Sequence, residues 1–410
     1  MRLPVNIEIA KTHIVKSFQQ TIVASLGVSL GVAVYLFMNS LSSGFTDFSR
    51  DNIFQVSAHI KVYRDDVLSK PLSKTDPNKL NLIVNPQITT LSKTLINPAQ
   101  ILENVKKQPY ITNGIVQIDY TLFYNRGKTQ VKGNGIGVNM IEYNEMFNTQ
   151  KHMLAGSISE LQSASNGIII GSGVAEKLSL KLGDNITATS SYGVIKVLKI
   201  VGIFKFGNRQ IDDSRSYVNI NTAQQFLKEG PSYVNTIYAN TLDPEKTDLY
   251  VKKLQGITDY TIEDWKTTNA DVLSTDKTRV TMMNSISIAI LVLAGFIIYN
   301  ILSSTISQKI NDIAILKATG FSSRDVIVIF LFEALIMGAI GTIIGLGLGS
   351  ILIFILSQIY MGAPVGYFPI TFELSLYIMS FGLGLLMTLL AGYLPSRKAS
   401  HVDPVDIFRK

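Results

Sequence analysis

The sequence predicts an α-helical membrane domain of four transmembrane helices in a 1+3 arrangement, with a large α+β domain inserted between the first and second helices. Three observations predict it. Four apolar runs, at 22–41, 282–302, 326–356 and 374–394, are each at least the roughly 20 residues a bilayer crossing needs. Between the first two runs lies a long segment of soluble composition with alternating apolar and polar positions. Lys and Arg recur in the loop after the second run and in the tail, and are absent from the short loop at 357–371. The bulk composition agrees, with 47% hydrophobic and 16% charged residues and a mean hydropathy of +0.26.

Taken in order, residues 1–21 form an N-terminal segment with Arg2, Lys11 and Lys16 against Glu8. The first span, 22–43, carries no charge. A cleaved signal peptide would have a shorter apolar core and a small-residue cleavage site, so an uncleaved signal anchor is expected. Residues 44–278 read as an α+β domain, with a division into two lobes and the flanks of the segment pairing in one of them. Strands are expected at 59–63 (HIKVY), 115–123 (IVQIDYTLF), 167–170 and 195–204, and helical pieces at 97–106, 173–178 and 222–227. Residues 70–93, rich in Pro, Asn, Ser, Thr and Lys, read as a long loop.

The second span covers 279–303, the third 326–356 and the fourth 374–394, with the loop 304–325 between the second and third, 357–373 between the third and fourth, and a tail at 395–410. The third run exceeds one vertical crossing, which implies tilt or a projecting end. Lys309, Lys317 and Arg324 in the 304–325 loop, and Arg397, Lys398, Arg409 and Lys410 in the tail, contrast with a 357–371 stretch that has no Lys or Arg. The positive-inside rule then places both termini and the 304–325 loop in the cytoplasm and the large domain outside.

Chemistry is sparse. Zero cysteines exclude disulfides, thiolate metal sites and Cys nucleophiles. A net charge of +7 is spread along the chain with no dense basic stripe, so nucleic-acid binding is not expected. No phosphate-cradling G-x-x-x-x-G-K-[ST] loop and no G-x-S-x-G elbow is present. The glycine-rich stretches 133–137 (GNGIG) and 171–173 (GSG) read as turns, and the pairs Asp65–Asp66 and Asp212–Asp213 as solvated loop charges. His13, His59, His152 and His401 are too scattered for a metal pair. The chain is not expected to be an enzyme, or to bind a cofactor or metal of its own.

Four constellations remain. Between the second and third spans, Ile310, Ile313, Ala314, Leu316, Lys317 and Gly320 fall at helical spacing, with Lys309, Asp312 and Arg324 keeping the segment out of lipid. Gly320 reads as its stop and Ser322 or Ser323 as the next N-cap. Such a helix, tethered at both ends to spans, suits docking of a cytoplasmic motor; the competing reading is a helix lying on the headgroups. Glu333 is the one ionisable side chain inside an apolar run, about 10 Å past its start. It serves as a structural anchor or in transport and coupling. Gly341, Gly345 and Gly349 in the third span, and Gly27 and Gly31 in the first, make G-x-x-x-G steps for packing within one chain or between two. Met38, Leu41, Met282, Met283 and Ile286 are flexible apolar residues at the outer ends of the first two spans, suited to acyl chains or to ordinary packing. No repeat of 20–50 residues is evident.

The 1+3 plan, residues 312–320 (DIAILKATG), 393–399 (YLPSRKA) and 403–405 (DPV) together resemble the permease subunits of type VII ABC systems, a family that includes MacB-like pumps, FtsX-like proteins and the lipoprotein-releasing LolC/LolE permeases. The family writes Glu where Asp312 stands here. Residues 167–178 (GIIIGSGVAEKL) and 182–184 (LGD) resemble a segment of LolC/LolE-type and MacB-type proteins. Residues 201–204 (VGIF) with Gly207 and Asp213, Asp264 and Trp265 with Asn269, and the first-span stretches at Gly27–Val28 and 43–45 (SGF) are most similar to the lipoprotein-releasing branch.

The resemblance implies a bacterial inner-membrane protein with a periplasmic domain. A separate ABC ATPase dimer would hold ATP and Mg, and its motion would pass through the 310–320 helix. A second permease, identical or paralogous, would complete the complex. The implied cargo is an acylated lipoprotein handed to a periplasmic chaperone, its acyl chains entering from membrane lipid between the first two spans. MacB-like efflux of periplasmic substrates and FtsX-like signalling to a cell-wall hydrolase are the alternatives. The likeness thins at 69–94, where no chaperone-binding loop is identified.

Overall fold

The computed structural model describes residues 3–65, 93–362 and 366–408. The expected 70–93 loop, and the 69–94 stretch where the resemblance thins, fall almost wholly outside these, as do Asp66, Arg409 and Lys410. The chain divides into two compact units, one of residues 1–49 and 274–410 and one of Arg50–Leu273.

Among the described residues four helices, lying mostly in the first unit, are long and apolar enough to cross a membrane: Phe18–Phe54, Ala270–Gln308, Ser323–Ser357 and Leu374–Ser400. They are called the first to fourth spans below. All outrun the apolar windows read from the sequence. The first, at 37 residues, is about 56 Å long, well beyond a hydrocarbon core of about 30 Å. Hydropathy marks where a helix meets lipid; the backbone ladder continues until a cap or a breaker stops it. Pro395 fails as a breaker, and the fourth span runs on to Ser400. The burial of Pro395, Ser396, Ala399 and Ser400 there offsets the lost N–H. The N-terminal segment, read from the sequence only as a stretch with a basic excess, is itself a helix, Leu3–Lys16. Small and aliphatic side chains make the bundle core: Ala24, Val28, Val32, Leu291, Ile298, Leu302, Ala334 and Met337.

Among the described residues the second unit holds ten strands: β1 Ile60–Tyr63, β2 Ile111–Arg126, β3 Thr129–Val138, β4 Met153–Gly156, β5 Gly167–Gly171, β6 Asn185–Ser190, β7 Ile195–Phe204, β8 Arg215–Asn219, β9 Thr236–Thr241 and β10 Thr261–Asp264. It is α+β with two lobes sharing one strand. The first part of β2 pairs with β9, and β1 and β10 complete a four-stranded antiparallel sheet in the order β10-β1-β9-β2. The later part of β2 pairs with both β3 and β6, and the path β2-β3-β8-β5-β7-β6 returns to β2, closing six strands on themselves. Closure removes the exposed edges that a soluble sheet must otherwise protect. The strands that open and end the segment, β1 and β10, pair from Ile60↔Asp264 to Tyr63↔Thr261, so the small lobe forms only when both ends of the insertion meet.

Two local expectations are corrected here. The glycines of 133–137 lie inside β3, not in a turn. A Cβ at Gly133 would overlap the Tyr124 ring and one at Gly135 the Tyr120 ring, so glycine at alternate positions admits two buried aromatic rings of β2. Asp212 is no solvated loop charge. It is buried and accepts the N–H groups of Phe206 at 2.8 Å and Gly207 at 2.9 Å. Burial pushes its carboxyl upward while those two amides pull it down. Its neighbour Asp213 binds Lys177 at 3.0 Å, the pairing that holds its carboxyl below the usual range.

His59, at the start of the small lobe, gives this unit a pH dependence. Its Nδ1 accepts the Thr241 N–H at 2.9 Å, and burial pushes its imidazole below the ordinary value. At pH above about 6.5 both folded and unfolded chains hold it neutral, so its contribution is complete. Below that value the unfolded chain takes the proton first, and stability falls until the folded-state pKa is passed. The melting temperature of the intact protein, followed through Trp265, should therefore drop between about pH 7 and pH 5. Trp265 reports on the site because Phe54 packs edge-on against both Trp265 and His59. His59→Gln should flatten part of that slope; an unchanged slope would discard the assignment.

Candidate functional site

Between the second and third spans lies a short helix, Ile310–Ala318, called the loop helix. At 9 residues it is too short to be stable alone, so its position is set by what it packs on. Gly320, at φ +94°, ends it in the left-handed conformation that glycine tolerates. The third span then starts from Ser322, whose side chain and that of Asp325 form a reciprocal capping box. Of the two serines considered, Ser322 is the cap.

The loop helix has a seated face and an open one. Ile313 and Ala314 are buried, and Ile313 packs in a cluster with Ile306, Val326, Phe330 and Ala399. Lys317 faces the same way: its Nζ donates to the carbonyls of Ser400 at 2.9 Å and Val402 at 2.7 Å, capping the end of the fourth span. Ile310 and Leu316 are half-buried, and Asp312, Ile315 and Gly320 are exposed. The residues grouped from the sequence as one docking stripe are thus split. Ile313, Ala314 and Lys317 hold the helix on the bundle, while Asp312, Leu316 and Gly320 remain on or near the open face. Ile315, 51% exposed, joins them and was missed, because an apolar residue between two apolar neighbours gives no sign of which way it points. Lys317→Met should leave insertion intact and loosen the tail, seen as faster amide exchange or proteolysis after Ser400; unchanged protection would contradict the capping role.

Polar groups of three helices meet beside this seat. Glu333 is 1% exposed, and its Oε2 lies 3.4 Å from His13 Nδ1 of the N-terminal helix. An unpaired carboxylate in that position would cost several kcal/mol. Asn6 Nδ2 of the same helix donates to Asp325 Oδ1 at 3.3 Å. Lys309, joining the second span to the loop helix, has a buried Nζ without a hydrogen-bond partner among the described residues. Burial pushes its ammonium downward, and the charges of Glu333 and Asp312 oppose that. Gln20 ties the first span to the second, donating to Gln308 at 3.0 Å and accepting from Thr305 at 2.9 Å.

The glycine steps face the chain's own helices. Gly27 and Gly31 meet Ile297 and Ala294 of the second span, and Gly341, Gly345 and Gly349 meet Ser25, Ser29 and Ala33 of the first. The five apolar residues proposed for acyl chains lie toward the far ends of the first two spans. Met282 and Ile286 are exposed there, and Met38, Leu41 and Met283 half-buried. The two ends are joined by Arg279, whose guanidinium lies 5.0 Å from the Phe45 ring and donates to Asp276 at 3.0 Å and Thr46 at 3.4 Å. Nearby, a Cβ at Gly44 would come within 2.5 Å of the Pro369 carbonyl, which accounts for glycine where the loop before the fourth span crosses. Among the described residues no group of three or more His, Asp or Glu could hold a metal ion.

Two family descriptions match this sequence. Residues 21–257 match the MacB-like periplasmic core domain, and residues 284–404 match the FtsX-like permease C-terminal domain.

The chain belongs to the MacB/FtsX family of ABC-type permeases.

Among relatives, the lipoprotein-releasing system transmembrane protein LolC of Xylella fastidiosa is 24% identical, over 94% of this chain and 92% of its own. LolC of Neisseria meningitidis serogroup B is 24% identical over 95% and 94%. The macrolide export ATP-binding/permease protein MacB of Wolinella succinogenes is 32% identical, but over 37% of this chain and 22% of its own. In this permease the FtsX-like match takes in the loop helix and the whole of its supporting cluster, and the MacB-like match takes in most of the α+β unit.

Proposed function

We propose that this permease is the membrane subunit of an ABC export system that releases lipoproteins from the bacterial inner membrane for delivery to the outer membrane. The observation that carries the reading is the loop helix, anchored by Ile313, Ala314 and Lys317 and open at Asp312 and Ile315. A helix held this way can receive a push on its open face and pass it to the third and fourth spans. ATP and Mg belong to a separate ATPase dimer. The loop helix and both termini face the cytoplasm, and the α+β unit faces the periplasm. A second permease, identical or paralogous, completes the complex, and a periplasmic chaperone takes the cargo.

Two considerations favour lipoprotein cargo. LolC relatives align along nearly their whole length, while the MacB relative aligns over 22% of its own. Transferring acyl chains out of a bilayer costs about 0.8 kcal/mol per methylene, so release of a multiply acylated protein needs an external motor. Met38, Leu41, Met282, Met283 and Ile286 would line the acyl entrance. MacB-like efflux is the second reading, favoured by the match of the MacB-like core domain to residues 21–257.

The test is reconstitution of the permease with a separate partner ABC ATPase, in proteoliposomes carrying a triacylated lipoprotein and a soluble acceptor. ATP-dependent transfer to the acceptor is expected. A working ATPase with neither transfer nor co-purified lipoprotein would reject the proposal, and transport of a soluble substrate instead would establish the second reading.

A further inference from the structure

The cytoplasmic-end polar cluster is not explained by docking or by packing alone. Glu333 is buried on the third span, His13 Nδ1 of the N-terminal helix stands 3.4 Å from it, and the His13 ring lies 6.0 Å from Phe330, one helical turn before Glu333. Lys309 is half-buried at the root of the loop helix, its Nζ buried and without a hydrogen-bond partner among the described residues, and Glu333 is the foremost of the charges that favour its ammonium form. Glu333 thus meets His13 directly, and Lys309, at the junction of the second span and the loop helix, lies within its electrostatic reach with no hydrogen bond or ion pair between them among the described residues. The other charged groups around Lys309 are Asp312 on the loop helix and Lys16 on the N-terminal helix, and Asp325 is already engaged by Asn6 and by its own capping box.

We infer that Glu333 is an electrostatic latch that holds the N-terminal helix through His13 and the loop helix through Lys309, so that both move with the third span. In a low-dielectric setting a buried cation and a buried anion stabilise one another far more than at a surface. Moving Lys309 away from Glu333 would leave its buried Nζ, which has no hydrogen-bond partner among the described residues, with Asp312 as its remaining counter-charge. Glu333 is a positioning residue in this picture. It touches neither cargo nor ATPase, and it determines whether displacement of the loop helix is delivered to the third span or lost in local sliding. The latch rests on the permease reading only for its purpose; its existence is a property of this chain alone.

The absence of native cysteine allows paired spin labels to be placed in the intact protein in lipid nanodiscs. Ile343→Cys on the third span is the common reference, combined with Thr12→Cys on the N-terminal helix or Asn311→Cys on the loop helix; all three positions are exposed. Each pair should show one narrow distance. Glu333→Gln should lose the narrow peak in both pairs, His13→Phe only in the Thr12 pair, and Lys309→Met only in the Asn311 pair, with Glu333→Asp restoring both at least in part. Adding Glu333→Gln to Lys309→Met should not broaden the Asn311 pair further, because the two remove the same interaction.

Narrow peaks in the Asn311 pair for Glu333→Gln and Lys309→Met alike would overturn the latch. If Glu333→Gln does not reach the membrane, the two single-partner variants still decide: equal effects on both pairs, or on neither, would reject it. None of these measurements needs ATPase or cargo, so failure of the latch and failure of the export reading are separable.

Discussion

Gly341→Val should disrupt the membrane unit. A Cβ at this position would lie 2.5 Å from the Ser25 carbonyl oxygen and 2.7 Å from Val28 Cβ, both on the first span. A carbonyl in a helix ladder cannot rotate away, so relief requires the two spans to separate. Separation breaks the hydrogen bond from Ser25 Oγ to the Met337 carbonyl, 3.0 Å long and buried, and opens the contacts at Gly345 and Gly349 one and two turns on. Overpacking costs about 1–3 kcal/mol on its own, and the lost packing adds to it, so several kcal/mol are at stake. Gly347, in the same stretch, has nothing within 4 Å of its added Cβ and supplies the control. Gly341→Val should lower the melting temperature sharply or prevent recovery of folded protein, while Gly347→Val leaves both unchanged. Equal behaviour of the two would mean that the third and first spans do not meet through this face.

Ile315→Asp should abolish assembly with the ATPase and leave the permease itself intact. Ile315 is 51% exposed on the open face, so a carboxylate there meets water in the isolated chain and costs little. In a complex the same side chain would be desolvated against the partner, where truncating a central apolar contact typically costs 2 kcal/mol or more, about 30-fold in affinity. Ile313→Ala gives the opposite pattern. Ile313 is 1% exposed, and its truncation should lower stability by about 2–4 kcal/mol, moving the loop helix before any partner arrives. Binding to the ATPase and thermal melting, measured on both variants, separate the faces. Unimpaired binding by Ile315→Asp would place the docking surface elsewhere.

Much of this architecture was legible before any coordinates. The α+β class follows from period-two strands such as 195–204 beside helical pieces such as 222–227. The glycine steps were visible as contact faces, and Glu333 as a charge needing a reason. Misreadings had local causes. The 133–137 glycines suggested a turn because glycine is the usual turn residue, and nothing nearby in sequence reveals that Tyr120 and Tyr124 will lie across them. The pair at 212–213 looked solvated because two adjacent acids usually are, yet the first closes a buried turn and the second meets Lys177 from a distant helix.

The sequence by itself determined what can be read from short-range periodicity and composition: four spans, an inserted α+β unit, and an amphipathic segment between the second and third spans. Tertiary structure alone decided which face of that segment is free, which helix each glycine approaches, and which groups face Glu333. The physical reason is range. Hydropathy and helical spacing act over one or two turns, whereas Lys317 meets carbonyls 83 and 85 residues away and His13 meets an acid 320 residues away. Such pairings exist only once the chain has packed.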